Sequence, residues 1–547
     1  MSYWLPTCIL LLVCPVSTRA GDDPVFDVPA LLATPLNAKT LKTTQRENII
    51  TEEVSFHSEM DGEKNVEIFA YFSYPQGAKN LPAYIWNPGG LGQASPAYTE
   101  AGARRGYATL CIDFPQPGYR STGGYPINAG LDLGADLRQA PIYHGAVALL
   151  KAVSFLESRP EVDRSRIGMA GSSWGGFFTT LMAGLDQRLK ACSCFFGTGS
   201  LQLGNAWWDG QSRNGRPSPS PAYRERWAKT LDPAWRLQKS KVPIAWFTGT
   251  NDGFYYLPSV MRTYQLAAGP KHLSLLPNWD HAVSLAVNEQ AFAWLDIHLK
   301  GKAPFLSVSP SEIQERNGRQ TVRWTFQGEA AAAELNASFQ DEGHWHGRYW
   351  HTFKADVRDH TCSVELPSST LPCYVIGNVI DKAGFRSSTP MRRIEPSATA
   401  DHSIVPSYDG CSDWGGFEEN QLAFLSRHYR SGSQVRWLPQ VSLDAKDGKQ
   451  SALLPVGKTP LPPILFTPDI PHRFTCFLKS DKPVEAILQL EESEKRIAIG
   501  TSWTEVRMDY TPSQSLLAAV HAALSVPPGA NLLLDCATFR PIVPSSH

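Results

Sequence analysis

Residues 166–185 read RIGMAGSSWGGFFTTLMAGL, and this segment gives the clearest indication of the fold. An apolar run leads into Gly171-Ser172-Ser173-Trp174-Gly175, and a second apolar run follows. This order predicts a buried strand, a tight turn and a helix, with Ser173 at the tip of the turn. Glycines flank the serine because a strained turn against a sheet leaves little room for side chains. Ser173 is therefore a candidate nucleophile, and the alternative is an ordinary strand-to-helix turn.

The sequence around this stretch, from about residue 45 to residue 303, alternates between short apolar runs and longer segments with helical spacing. Residues 140–158 and 292–302 are predicted helices, the second closing the domain. The apolar runs, bounded by Gly or Pro, predict strands at residues 83–86, 108–114, 166–171 and 241–250. This alternation predicts an α/β domain with a mainly parallel sheet and helices on both faces.

A serine nucleophile needs a general base, and the base needs an orienting carboxylate. Asp252 follows the apolar run of PIAWFTGTND, and His281 follows the next run, in HLSLLPNWDH. The carboxyl ends of parallel strands meet at one edge of the sheet, so these are the predicted acid and base. Asp280 is less favoured as the acid, because a residue next to His281 is poorly placed to reach its ring. The alternatives are a turn role for Asp252 and a surface loop for His281.

Two backbone N–H groups must stabilise the oxyanion that a serine attack would create. Trp174, directly after the nucleophile, is the first predicted donor. The second is expected from the loop of YIWNPGGLGQ, where Gly89 and Gly90 allow the backbone to approach a substrate closely. We favour Gly90, with its neighbour as the alternative donor. A plain Pro-Gly turn would explain the same residues.

The segment 198–240, between the nucleophile and the acid, is long for a loop of a compact domain and is rich in aromatic and basic residues. We interpret it as one wall of the substrate site, with Trp207 and Trp208 as substrate-binding candidates. The alternative is a packed surface excursion.

Residues 45–303 resemble an α/β-hydrolase of the prolyl oligopeptidase and dienelactone hydrolase branch, and within it the acetyl xylan esterases. The matching motifs are GSSWGGFF, the acid in GTND and the histidine in NWDHAV. The resemblance implies a serine nucleophile, an acyl-enzyme, no cofactor and no catalytic metal. One departure is PGG at residues 88–90, where many members of this branch have His-Gly-Gly, and it puts the second oxyanion donor in doubt.

After residue 303 short alternating runs replace the helical pattern. They predict two β-sandwich domains, at residues 304–398 and 399–547. The first resembles an immunoglobulin-like domain and the second a carbohydrate-binding jelly roll. By that resemblance Trp414 and Trp437 are candidates for stacking on sugars, although a strand tryptophan is more often core. Asp535 is a candidate ligand of a structural calcium ion.

Residues 5–16, LPTCILLLVCPV, form an apolar run followed by small residues. The run is shorter than the roughly 20 residues that span a membrane. It predicts a signal peptide over residues 1–20, cut after Ala20, which leaves residues 21–303 as the first domain. We therefore expect a secreted or periplasmic protein without a membrane span. A lipoprotein anchor at Cys14 is the less favoured alternative.

Export would permit disulfides. Cys362 and Cys373 flank a predicted hairpin and are the best candidate pair, and Cys411 could join Cys536. Three further cysteines lie in apolar runs and are expected to be free thiols in the core: Cys111, Cys192 and Cys194.

The chain of 547 residues has 51 basic and 52 acidic side chains, so its net charge is −1. This balance argues against a nucleic-acid binder that acts through a basic field. The favoured hypothesis is a secreted serine esterase that deacetylates polysaccharide or another acylated small molecule. The alternatives are a serine peptidase of the prolyl oligopeptidase type and a glycan-binding protein without catalytic activity.

Overall fold

One mixed β-sheet organises the N-terminal half of the computed structural model, which describes residues 23–90, 93–126, 131–133, 136–209, 217–281, 285–339, 345, 348, 350–366, 372–397, 440–461, 471–511 and 522–542. Within these residues the sheet has the order β1-β2-β3-β5-β4-β6-β7-β8-β9. Its strands are β1 (Lys39–Arg46), β2 (Ile49–Asp61), β3 (Lys64–Pro75), β4 (Leu81–Asn87), β5 (Ala108–Ile112), β6 (Val162–Ser172), β7 (Ala191–Phe195), β8 (Ile244–Gly249) and β9 (Lys271–Leu276). The pairs β5–β4, β4–β6, β6–β7, β7–β8 and β8–β9 are parallel, whereas β1–β2, β2–β3 and β3–β5 are antiparallel.

Helices cover both faces of this sheet. Ser95 caps α2 by accepting a hydrogen bond from the backbone N–H of Ala97, and Pro96 follows at the first helical position. Almost the whole of α3 is buried, so its apolar residues form a core element rather than an amphipathic surface. The helices are α1 (Val28–Ala33), α2 (Pro96–Arg104), α3 (Pro141–Ser158), α4 (Trp174–Leu185), α5 (Ala206–Asp209), α6 (Pro221–Thr230), α7 (Leu257–Leu266) and α8 (Leu285–Lys300).

The predicted α/β fold class is confirmed, and so are the predicted strands and the helix of residues 140–158. The closing helix begins at Leu285, earlier than the sequence indicated. The antiparallel extension of β1 to β3 was not predicted. All eight residues of β1 are exposed, so it lacks the alternation by which a half-buried strand is recognised.

The first core, against α3 and α4, extends beyond the α/β domain. It includes Trp350, Tyr374 and Ile376 from the region after residue 303. On the opposite face a second core lies under α8. In the described part of the chain no helix is both long and apolar enough to cross a membrane.

The region after α8 forms a β-sandwich with its own core. One described sheet has the order β10-β12-β16-β15, with β11 beside β12, and the other has the order β14-β13-β17-β18, with β19 beside β17. The strands are β10 (Ser307–Val308), β11 (Glu312–Arg316), β12 (Arg319–Gln327), β13 (Ala330–Ser338), β14 (His351–Lys354), β15 (Asp356–Arg358), β16 (Thr361–Glu365), β17 (Cys373–Asp381), β18 (Arg386–Ser388) and β19 (Arg392–Ile394).

The predicted disulfide between Cys362 and Cys373 is wrong. Both thiols are buried and free, and β16 and β17 belong to different sheets instead of forming the predicted hairpin. The expectation of free core thiols at Cys111, Cys192 and Cys194 is confirmed. Burial raises the pKa of the Cys111 and Cys194 thiols to about 12, which keeps them protonated and unreactive.

The last region forms a further β-sandwich around a separate core. Its described sheets have the orders β20-β21-β28-β23-β26 and β22-β27-β24-β25. The strands are β20 (Gln440–Ser442), β21 (Ser451–Leu454), β22 (Gly457–Pro460), β23 (His472–Ser480), β24 (Val484–Leu490), β25 (Ser493–Ile499), β26 (Thr504–Tyr510), β27 (Ala522–Val526) and β28 (Leu532–Pro541).

Several predictions concern residues that the structure does not describe. Trp414, Trp437, Cys411 and the signal peptide of residues 1–20 all lie outside the described residues. Asp535 is described. Its carboxylate accepts hydrogen bonds from the backbone N–H groups of residues 446, 447 and 536.

Candidate active site

Ser173 occupies the turn between β6 and α4, as the sequence predicts. Its backbone has φ 56° and ψ −120°, a strained conformation for a residue with a side chain. A Cβ at Gly175 would lie 2.0 Å from the carbonyl oxygen of Asn87, so only glycine allows the helix to approach β4 this closely. The backbone N–H of Ser173 donates to the carbonyl of Phe195 over 3.0 Å, which fixes the turn against β7.

The structure brings Ser173, His281 and Asp252 together. The Nε2 atom of His281 lies 2.8 Å from Ser173 Oγ. Its Nδ1 atom lies 3.0 Å from each carboxylate oxygen of Asp252. Both contacts are satisfied when Nδ1 carries the proton and donates to Asp252, which leaves Nε2 to accept from the serine hydroxyl.

The surroundings of Asp252 are arranged for a carboxylate. The side chain is 1% exposed and accepts the backbone N–H groups of Phe254 and Tyr255 over 2.8 and 2.9 Å. Thr248 Oγ1 lies 3.3 Å from the second oxygen. These donors offset the loss of water around a buried negative charge.

Asp280, the less favoured acid, has a different position. Its Oδ1 atom accepts the backbone N–H of His281 over 2.6 Å and that of Gly253 over 3.1 Å. The carboxylate therefore connects the loop that carries the acid to the loop that carries the histidine.

The predicted oxyanion donors lie on two segments next to the nucleophile, the start of α4 and the loop of residues 88–90. Trp174 is the first residue of α4, where the N–H has no partner within the helix. A Cβ at Gly89 would lie 3.4 Å from Ser173 Cβ, so the loop of residues 88–90 lies directly beside the serine. The choice of Gly90 over its neighbour stays a prediction.

Aromatic rings surround the histidine. Phe196 and Phe254 each place their ring centroid 4.7 Å from that of His281. Sequence reasoning missed both residues, although each follows the carboxyl end of a parallel strand as the acid does. Trp207 is half-buried and contacts Phe254 and Trp174, so it lies where a substrate-binding side chain is expected.

The expectation that Trp208 contacts substrate does not fit the structure. This side chain is 4% exposed and packs edge-on against Tyr223 and Trp227 in the core. Arg224 lies over its ring, 5.3 Å from the centroid, and also pairs with Asp209. In the described residues, no group of three or more His, Cys, Asp or Glu is arranged to hold a metal ion.

The fold of the N-terminal half is therefore that of an α/β-hydrolase. Residues 98–282, which contain Ser173, Asp252 and His281, match the model of the dienelactone hydrolase family. This similarity supports a hydrolase.

One curated relative and several solved structures are similar to parts of the chain. An uncharacterized protein of Pseudomonas aeruginosa is 35% identical over 127 residues, which are 22% of this chain and 30% of that protein. The acetyl xylan esterase from Paenibacillus sp. R4 is 23% identical, with 50% of this chain and 92% of that chain covered and a TM-score of 0.44. Acetyl xylan esterase 1 from Thermoanaerobacterium sp. JW/SL YS485 is 17% identical, with 49% and 90% covered and a TM-score of 0.41. An acylaminoacyl peptidase from Pyrococcus horikoshii is 15% identical, with 50% and 51% covered and a TM-score of 0.36.

Proposed function

We propose that this protein is a serine hydrolase that cleaves carboxylic esters. The observation that carries the proposal is the continuous contact from Ser173 Oγ through the imidazole of His281 to the buried carboxylate of Asp252. A serine held in a strained turn and bonded to an imidazole that a carboxylate orients is equipped for nucleophilic catalysis.

In this mechanism Ser173 Oγ attacks the ester carbonyl while His281 Nε2 takes the hydroxyl proton. Asp252 keeps Nδ1 protonated and stabilises the imidazolium that forms. The N–H of Trp174 and one from residues 89–90 bind the oxyanion of the tetrahedral intermediate. His281 then gives its proton to the leaving alcohol, which leaves an acyl group on Ser173. Water, deprotonated by the same imidazole, releases the acid and restores the serine.

The substrate class we propose is an acylated carbohydrate, with acetyl as the acyl group. The half-buried rings of Trp207 and Phe254 support it, because apolar faces of sugars stack on aromatic rings. A signal peptide over residues 1–20 would deliver the enzyme to extracellular or periplasmic polysaccharide. A sandwich domain that binds glycan would raise the local concentration of such a substrate.

The test compares wild type, Ser173→Ala and Ser172→Ala on p-nitrophenyl acetate, acetylated xylan and a panel of peptidyl-prolyl amides. We expect ester turnover in wild type and Ser172→Ala, and its loss in Ser173→Ala. A fluorophosphonate should label Ser173, identified by peptide mass. Ester turnover that survives Ser173→Ala would remove the mechanism, and amide cleavage far faster than ester cleavage would make the protein a peptidase.

A further inference from the structure

The β-sandwich of residues 307–394 packs against the edge of the α/β sheet beside the candidate active site. The N–H of Leu275 in β9 donates to Ser388 Oγ of β18 over 2.9 Å. Trp350 and Tyr374 enter the core of the α/β domain. The sandwich is thus joined to β9, the strand that leads into the histidine loop, by polar contacts and by a shared core.

Asn278 connects the histidine loop to the sandwich. It lies between the end of β9 and His281 and has the left-handed φ of 52°. Its amide Nδ2 donates to the carbonyl of Trp350 over 2.7 Å, and its Oδ1 accepts the N–H of Trp350 over 2.7 Å. Trp350 is fully buried, so this reciprocal pair is attached to a fixed point. The backbone N–H of Asn278 also donates to Thr250 Oγ1 in the acid loop over 2.9 Å.

Asn251 makes the corresponding connection from the acid loop. It directly precedes Asp252, is fully buried and donates from Nδ2 to the carbonyl of Arg348. Arg348 is itself fully buried, with its guanidinium over the ring of Trp345 at 4.2 Å. Two asparagines, one on each catalytic loop, therefore bind backbone atoms of residues 348 and 350.

The two loops also contact each other directly. A Cβ at Gly249 would lie 1.8 Å from the carbonyl oxygen of Trp279, and the N–H of Asn251 donates to that carbonyl over 3.0 Å. A displacement of either loop is therefore transmitted to the other. The sandwich is bonded to both, so it limits how far they can move together away from Ser173, which is held by β6 and α4.

We propose that Arg348 and Trp350 of the sandwich align Asp252 and His281 with Ser173. Asn251 and Asn278 are the positioning residues that transmit this alignment. The inference rests on the proposed function of the same site. A serine hydrolase depends on this alignment because an error of about 1 Å in the placement of a catalytic group can cost roughly 100-fold in rate. The sandwich thereby becomes part of the catalytic unit.

The chain offers a matched control at the same interface. Gln290 on α8 makes an equivalent reciprocal pair, donating to the carbonyl of Arg386 over 2.7 Å and accepting its N–H over 3.2 Å. Gln290→Ala removes these two bonds to the sandwich, together with the side-chain contacts of Gln290 to Ser274 and His272 in β9, and leaves the side chains of both catalytic loops unchanged. Asn317→Gly controls for the backbone, because Asn317 has the same φ of 52° in the turn between β11 and β12.

The experiment measures kcat and KM on p-nitrophenyl acetate and the rate of fluorophosphonate labelling of Ser173, in the full-length chain. We expect Asn278→Gly to lower kcat and the labelling rate by about 10- to 100-fold, with KM within twofold of wild type. Gln290→Ala and Asn317→Gly should keep both rates within about twofold. Asn251→Ala should behave like Asn278→Gly, and it decides the outcome if circular dichroism shows that Asn278→Gly has not folded.

Equal labelling of wild type and Asn278→Gly would overturn the inference while leaving the proposed function intact. An equal loss of kcat in Gln290→Ala and Asn278→Gly would overturn it as well, because general docking of the sandwich would then account for the effect. Failure of wild type itself to react with the fluorophosphonate would instead refute the proposed function, and the inference with it.

Discussion

The carboxylate of Asp280, in the loop after β9, accepts the backbone N–H of Gly253, in the loop after β8, over 3.1 Å. The same oxygen accepts the N–H of His281, so Asp280 serves the backbone while Asp252 serves the imidazole. The two neighbouring carboxylates thus have separate tasks, and isosteric variants separate them.

Asp252→Asn should lower kcat by roughly ten-thousand-fold, because an amide can hold the imidazole in the wrong tautomer and does not stabilise the imidazolium. Asp280→Asn keeps an oxygen that can accept both N–H groups, so kcat should fall by less than about tenfold. Steady-state kinetics on p-nitrophenyl acetate, with circular dichroism as the control for folding, make the comparison. A larger loss of kcat in Asp280→Asn than in Asp252→Asn would mean that Asp280, and not Asp252, is the catalytic acid.

Trp207 and Trp208 are adjacent in sequence but should respond differently to truncation. Trp208→Ala empties a core position and should lower the free energy of unfolding by about 3–5 kcal/mol. Trp207→Ala removes a ring that contacts Phe254, the neighbour of the histidine. We therefore expect KM for an acetylated xylo-oligosaccharide to rise about tenfold, with the KM for p-nitrophenyl acetate changed less. Urea denaturation and substrate-dependent kinetics measure the two effects. Unchanged KM for the oligosaccharide in Trp207→Ala would argue against a substrate contact.

The contrast between these tryptophans shows where sequence reasoning reaches its limit. Both lie on α5, which has only four residues, so no periodicity fixes which side chain faces the core. The proximity of Ser173, Asp252 and His281 could be predicted because each follows an apolar run, and parallel strands deliver such residues to one edge.

The connection to the sandwich could not be predicted in the same way. Asn278 and Asn251 bind backbone atoms 72 and 97 residues further along the chain, and a backbone carbonyl carries no sequence signature. The free thiols of Cys362 and Cys373 illustrate the same point, because strands that are neighbours in sequence entered different sheets. The strands and the long helix that were predicted followed from local pattern, whereas their partners across domains did not.

A largely buried ion pair helps to hold the segment before β1, together with the buried side chains of Val25 and Phe26. Arg236 is nearly fully buried and makes hydrogen bonds to the carboxylate of Asp23 over 2.5 and 3.0 Å. Asp23→Ala would remove the carboxylate to which the guanidinium is hydrogen-bonded and leave it only the charge of the nearby Asp232, so the free energy of unfolding should fall by roughly 3 kcal/mol. Asp27→Ala, which removes the exposed cap of α1, should cost only about 1 kcal/mol. Urea denaturation of the two variants is the measurement, and equal losses would contradict a special role for Asp23.

His272 in β9 should make the protein sensitive to acid. Burial against the rings of Phe247, Trp294 and Phe305 lowers the pKa of His272 to about 4, from an ordinary value of 6.5. Between these two values the unfolded chain binds the proton and the folded chain does not. The free energy of unfolding therefore falls as the pH drops from about 6.5 to about 4, by at most about 1.4 kcal/mol per pH unit, and this group adds no further loss below that range.

The variant His272→Phe lacks this titration and should have a flatter pH dependence across the same window. Urea denaturation of both proteins at pH 7, 6 and 5 gives the slopes directly. The pH 7 values provide the reference, since a change of packing in the variant shifts all three points together, whereas loss of the titration changes only their slope. Parallel curves would mean that His272 is protonated in the folded protein at the same pH as in the unfolded chain. In that case the aromatic cluster around β9 would not exclude water from the imidazole.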